Sequence, residues 1–111
     1  LVLDDIRDPG NLGTIIRIAD WYGIKAVIAS DETAELYNPK VLHSSKGSFT
    51  RIPVYYTNLP EFLSTSGLPV YGTFLAGEDV HRVNFGSGGL IVIGNEAHGI
   101  SQAVEQFVTK K

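Results

Sequence analysis

The sequence predicts an α/β protein of three layers, with helices on both faces of a mostly parallel sheet of five or six strands. Three observations lead there. Five short apolar runs of strand length are spread along the chain. Between them lie segments with helical spacing or with a proline suited to a helix's first turn. The chain has 111 residues, is 43% hydrophobic and 19% charged, and so fits one domain, residues 1–111, with a packed core.

Leu1-Val2-Leu3 reads as a buried strand ending in Asp4 and Asp5, and Arg7 to Asn11 is turn chemistry built on Pro9 and Gly10. A helix is expected from about Leu12 to Tyr22, with Ile15, Ile16 and Ala19 on one side, Asn11 as a candidate cap and Gly23 as the stop. Ala26–Ala29 is the second strand, and Pro39 opens a helix over 39–46. Ile52–Tyr56 is the third strand, followed by a short helix over 60–65. Pro69–Leu75 is the fourth strand, and 80–85 reads as a possible sixth at an edge. After the turn at 86–89, Leu90–Ile93 is the most apolar strand, and Ser101 can cap a last helix over 102–107. Ligands of such sheets bind beyond the carboxyl ends of the strands, which directs attention to segments 7–13, 73–79 and 94–100.

Composition narrows the chemistry. The absence of cysteine excludes disulfides, thiolate metal sites and cysteine nucleophiles. No apolar run approaches the roughly 18 residues of a membrane helix. With a net charge of −3, any contact with nucleic acid would depend on a local basic patch or on another domain. A chain without methionine that starts inside an apolar run is expected to be a piece of a longer protein.

Four constellations carry candidate chemistry, and each has a plain structural reading beside it. Asp8-Pro9-Gly10-Asn11-Leu12-Gly13 with Arg17 is either a strand-to-helix turn or a helix N-terminus facing an anionic ligand, with Arg17 as a planar clamp. Gly94-Asn95-Glu96-Ala97-His98-Gly99 is either a solvated connection or a close backbone approach to a ligand, with Glu96 pairing Arg17 or a ligand donor. Thr73 to Gly77 is a strand end that could offer a hydroxyl and backbone groups. His43 to Gly47 with Arg51 is a helix end or a small phosphate-contacting patch. No P-loop, dinucleotide fingerprint, HExxH or GxSxG pattern occurs, so no metal is called for. Asp4 and Asp5 suggest a response-regulator acidic pocket, but Tyr55-Tyr56-Thr57 and Asn95-Glu96 stand where its further Asp and Lys belong, which rejects that reading.

Taken in order, Asp8-Pro-x-Asn11-x-Gly13-x-x-x-Arg17-x-Ala19 with Tyr22-Gly23, and Ile93-Gly94-Asn95-Glu96-Ala97-His98-Gly99-Ile100-Ser101, resemble the first and second motifs of the SpoU-type RNA methyltransferases of the SPOUT superfamily. Lys46-Gly47 through Ile52-Pro53-Val54, and Thr73 through Gly77, also follow that family's pattern, so the resemblance covers nearly the whole chain. It implies a cytoplasmic enzyme that transfers a methyl group from S-adenosylmethionine to a ribose 2′-hydroxyl of tRNA or rRNA. It also implies a trefoil-knotted α/β fold and a homodimer with the site near the subunit interface. By position, Asn11, Arg17 and Glu96 would be catalytic. Thr73, Leu75, Ile93, Gly94 and Asn95 would line the methyl-donor pocket, and Ser45, Lys46 and Arg51 would meet RNA. Trp21 and Tyr22 are large enough to pack on the sheet or on a second subunit.

The family's third motif, a Ser-Leu-Asn-containing turn entering a final helix, would begin just after Lys111, and its N-terminal RNA-binding extension would precede Leu1. The expectation is therefore an incomplete knot, with weak or no donor binding and no activity by residues 1–111 alone. Two other readings stay open: a non-enzymatic RNA-binding or dimerisation module of the same fold, and an unrelated α/β domain for nucleotide phosphates.

Overall fold

The computed structural model describes residues 1–72 and 89–109. Its strands are β1 (Val2–Leu3), β2 (Val27–Ser30), β3 (Val54–Thr57), β4 (Val70–Gly72) and β5 (Leu90–Ile93), and its helices are α1 (Pro9–Trp21), α2 (Pro39–Ser45), α3 (Leu59–Ser66) and α4 (Gln102–Glu105), with a 3-10 turn at Ser48–Thr50. All pairings are parallel, in the order β3-β2-β1-β5-β4. Strand alternation divides the apolar residues between two faces. On one face Leu3, Val27 and Ala29 pack with Leu12, Ile16 and Ala19 of α1 and with Val41 of α2. On the other, Val2, Val70, Leu90 and Val92 pack with Leu59 and Leu63 of α3 and with Val104 of α4. The three-layer parallel arrangement expected from the sequence is thus what forms.

The helix boundaries follow their caps. Helix α1 begins at Pro9, three residues before the expected Leu12, because Asp8 rather than Asn11 is the cap: its Oδ1 accepts from the amides of Gly10 (2.8 Å) and Asn11 (3.3 Å). Asn11 therefore lies inside the first turn with its side chain free for other partners. Asn38 caps α2 through the amide of Lys40, and Asn58 caps α3 through that of Glu61. Lys46, expected within α2, instead ends it in a left-handed conformation (φ 55°). Ser101 precedes α4, but its hydroxyl makes no capping bond, and α4 stops at Glu105 rather than 107. The amide of Ser101 donates instead to Oδ2 of the buried Asp4, at 2.7 Å. Strand β4 is described only to Gly72, so the expected strand end at 73–75 and the possible sixth strand at 80–85 lie outside the described residues.

Close approach of α1 to α2 depends on Gly13: a Cβ there would sit 1.7 Å from Ser44 Oγ and 2.7 Å from the Val41 carbonyl oxygen. From β1 the chain runs outward through β2 to β3, crosses to the opposite edge at β4, and returns to β5 beside β1. The sheet therefore changes winding direction between β1 and β5, which is where open α/β sheets form their ligand crevice.

Candidate active site

The carboxyl ends of β1 and β5 are joined by side chains rather than by further strand. Asp5 takes a left-handed backbone (φ 61°), uncommon for a residue other than glycine. Three bonds hold it there. Its amide donates to Ser30 Oγ at the end of β2 (2.8 Å), its carbonyl accepts from Asn95 Nδ2 after β5 (2.8 Å), and its Oδ1 accepts from Arg7 Nε (2.6 Å). That Arg7–Asp5 pairing holds the Arg7 guanidinium pKa above its ordinary value. Ser30 Oγ is further bonded to Thr33 Oγ1, whose oxygen accepts from the Ile6 amide.

The loop after β5 is tight. Asn95 and Gly99 exchange both backbone hydrogen bonds (3.0 and 2.8 Å), and Asn95 Oδ1 accepts from the amides of Ala97 and His98. Asn95, expected to line a donor pocket, thus uses its side chain to shape this loop and to bind it to Asp5. Gly94 is required by the close return of the loop: a Cβ would lie 2.3 Å from both Gly99 C and Ile100 N. Ile93 is partly buried against the α1 side of the core, and its carbonyl accepts from the Asp4 amide.

This loop presents Glu96 to α1. Asn11 Nδ2 donates to Glu96 Oε1 at 3.4 Å across 85 residues of sequence, joining two of the three expected catalytic residues. They line a cavity of about 770 Å³ together with Asp5, Arg7, Asp8, Lys40, Asn95 and His98. Lys40 and Asp5 were absent from the expected site. Lys40 comes from the start of α2, and its arrival depends on how α2 packs against α1, a tertiary fact with no local sequence signal.

Arg17 stands apart. Six residues beyond Asn11, it is about 9 Å further along α1 and on another side of the helix. It lines a second concavity, of about 500 Å³, with Ile18, Trp21, Tyr22, Lys46 and Arg51. Ile18, Trp21 and Tyr22 are 48%, 84% and 75% exposed, so Trp21 and Tyr22 do not pack on the sheet. Of the expected RNA-facing residues, Lys46 and Arg51 are exposed here. Ser45 is not: it is fully buried with its hydroxyl on the Leu42 carbonyl, because it falls on the core side of α2. Thr73 and Leu75 lie outside the described residues.

Arg51 is tied to α1: its Nε and a terminal nitrogen donate to Asp20 Oδ2 (2.8 and 2.6 Å), as does Ser48 Oγ (2.8 Å). The guanidinium, then the Ser48 hydroxyl, hold the Asp20 carboxyl below its usual range. A depressed carboxyl pKa contributes stability above its unfolded value, about 3.9, and loses it as pH falls through the lower folded value. Asp20→Asn is therefore expected to lower the melting temperature slightly at neutral pH, with the difference from the unaltered protein closing in strong acid. A difference that is constant with pH would contradict this.

A model of the SpoU rRNA methylase family matches residues 1–110. The chain belongs to the SpoU family. This SpoU-family chain is 41% identical over 108 residues to the Bacillus subtilis 23S rRNA guanosine 2′-O-methyltransferase RlmP, covering 94% of the chain and 44% of that protein. The SpoU methyltransferase AviRb from Streptomyces viridochromogenes, solved in complex with AdoMet, superposes with a TM-score of 0.84 at 33% identity, over 98% of this chain and 45% of that one. The AdoMet-bound rRNA methyltransferase from Sinorhizobium meliloti superposes at 0.88 with 32% identity, over 98% and 44%. The SpoU chain described here spans less than half the length of these relatives.

Among the described residues, no group of three or more His, Asp or Glu could hold a metal ion, and no helix is long and apolar enough to cross a membrane.

Proposed function

We propose that the protein containing this chain is a cytoplasmic RNA ribose 2′-O-methyltransferase using S-adenosylmethionine, with tRNA or rRNA as substrate. The observation that carries the reading is the Asn11–Glu96 hydrogen bond at the β1/β5 crevice. Family membership and the AdoMet-bound relatives support it.

The described residues fit the donor chemically. The carboxylates of Asp5, Asp8 and Glu96 lie around one cavity and favour a cationic group there. Ile93, Gly94 and Asn95, with Thr73 and Leu75, would hold the donor, which when bound supplies an electrophilic methyl group on a positively charged sulfur. The remaining chemistry concerns the hydroxyl, a poor nucleophile whose proton passes to solvent water during attack, since neither Asn11 nor Arg17 serves as a base. Asn11 donates through Nδ2 to Glu96, which leaves Oδ1 to accept a hydrogen bond from the ribose 2′-hydroxyl and orient it. Glu96 positions Asn11. A guanidinium is a fixed cation with no acceptor atom, so the role of Arg17 is to stabilise the forming alkoxide and anchor a phosphate rather than to act as base.

Arg17 reaches that role through assembly. It lies in an exposed apolar face made by Ile18, Trp21 and Tyr22, which a second copy of the protein would cover. A homodimer across this face places Arg17 at the subunit boundary, with Lys46 and Arg51 as basic neighbours for RNA.

Calorimetric titration of S-adenosylhomocysteine into residues 1–111 and into the protein at its full natural length tests the reading. Binding by the full-length protein alone is the expected result. Binding by neither would end the methyltransferase reading. Binding by both would show that residues 1–111 hold the donor without a third motif.

A further inference from the structure

The charges around the Asn11–Glu96 cavity are unevenly committed. Asp5 is paired with Arg7 at 2.6 Å, Asp8 caps α1, and Glu96 accepts from Asn11. Lys40 lines the same cavity, is exposed, and among the described residues has no carboxylate within ion-pair distance. Arg7 and Lys40 against Asp5, Asp8 and Glu96 leave the lining with a formal charge of −1.

That balance conflicts with the substrate's own structure. Every internal ribose 2′-hydroxyl sits beside the 3′-phosphodiester of the same nucleotide. A crevice that seats the hydroxyl on Asn11 must also accept that phosphate, next to the Asp8 and Glu96 carboxylates. Repulsion between like charges at such separations opposes binding unless a cation stands close by. Within one copy of the chain Arg7 is engaged by Asp5 and Arg17 lies in the other concavity, so even where assembly brings an Arg17 to the forming alkoxide, Lys40 is the cation left on this lining for the adjacent phosphate.

We infer that Lys40 is the phosphate-binding residue of this cavity, holding the phosphodiester adjacent to the target ribose and so setting the register of the RNA on Asn11. This rests on the RNA-modifying reading above and adds a substrate contact to it. A flexible ammonium suits the task, since it binds phosphate as a point charge without requiring bidentate geometry. A cation that neutralises one phosphate of single-stranded RNA releases counterions, which adds about 0.7 to the slope of log affinity against log salt. A lysine with only a structural role would leave that slope unchanged.

The experiment uses the protein at its full natural length, unaltered and as Lys40→Gln and Lys40→Arg. Affinity for a short mixed-sequence single-stranded RNA is measured across a salt series, and methyl transfer to total rRNA is followed in parallel. Lys40→Gln is expected to lower the salt slope by about 0.7 and to weaken binding severalfold at low salt, whatever the sequence. Lys40→Arg is expected to restore both, and S-adenosylhomocysteine affinity is expected to stay the same in all three proteins. An unchanged slope and affinity in Lys40→Gln overturns the inference even if methyl transfer is normal. A Lys40-dependent slope in a protein that transfers no methyl group supports the inference while overturning the enzymatic reading. No RNA binding by the unaltered protein overturns both.

Discussion

Replacing Gly94 with alanine is expected to destabilise the protein by about 3 kcal/mol, the upper part of the range for overpacking a tight interior. The added Cβ would lie 2.3 Å from Gly99 C and Ile100 N and 2.7 Å from the Gly99 oxygen. All three are backbone atoms, so no side-chain rotation relieves the overlap. The loop must shift outward, which separates the Asn95–Gly99 backbone pair and pulls Ile100 from the core beneath it. Gly99→Ala is the control. Its backbone is left-handed (φ 71°) but a Cβ there meets nothing within 4 Å, so its cost should be only the conformational one, roughly 1–2 kcal/mol. Urea denaturation of the three proteins decides the matter: equal midpoints for Gly94→Ala and Gly99→Ala would contradict the steric account. Glu96 rides on the same loop, so Gly94→Ala should also disturb its bond to Asn11.

Arg17→Ala is expected to slow methyl transfer by roughly 10²- to 10³-fold in kcat, the usual loss on removing one group that stabilises a forming oxyanion, and Asn11→Ala, which removes the acceptor that orients the hydroxyl, by about 10²-fold. The two should differ in kind. Asn11 orients the hydroxyl within the crevice, so its loss falls on kcat. Arg17 also meets phosphate in the proposed role, so its loss should raise KM for RNA as well. Glu96→Gln is expected to be much milder than Glu96→Ala, because a glutamine carbonyl can still accept from Asn11 Nδ2. Single-turnover transfer to RNA separates these effects. Full activity in Asn11→Ala would remove the central element of the proposed mechanism. A base role for Arg17 would appear as a changed pH dependence of kcat in Arg17→Lys, whereas electrostatic stabilisation predicts a lower rate with the same profile.

Much of this site was legible in the chain because its two halves are local motifs. Asp8-Pro9 starts a helix by short-range chemistry, and Gly94 to Gly99 forms a loop whose turn is closed by its own backbone and by the Asn95 side chain. The strands β2 and β5 were readable for the same reason: apolar runs of four residues flanked by turns. What the sequence hid is tertiary. Asn11 looked like a cap because amides follow it, yet Pro9 with Asp8 before it supplies a better helix start. Ser45 looked like a surface hydroxyl beside Lys46, but in a helix adjacent residues point about 100° apart, so one can be buried while the next is exposed. Ser101 looked like a cap, but its amide already serves Asp4 from the other end of the chain. Arg17 looked like a neighbour of Asn11 because both belong to one motif, while helical geometry puts them in different concavities.

The position of β5 beside β1 also governs when the site can exist during folding. β1, α1 and β2 can assemble from the first thirty or so residues, since their contacts are short in sequence. Strand β5 has to close a loop of about ninety residues before it pairs with β1, the slow kind of step in a parallel sheet. Until it does, Asn11 has no Glu96 and Asp5 has no Asn95. A chain still being synthesised can therefore form α1 well before it owns a crevice. The Asn11–Glu96 pair at the mouth of the crevice is thus completed only by a late event of folding.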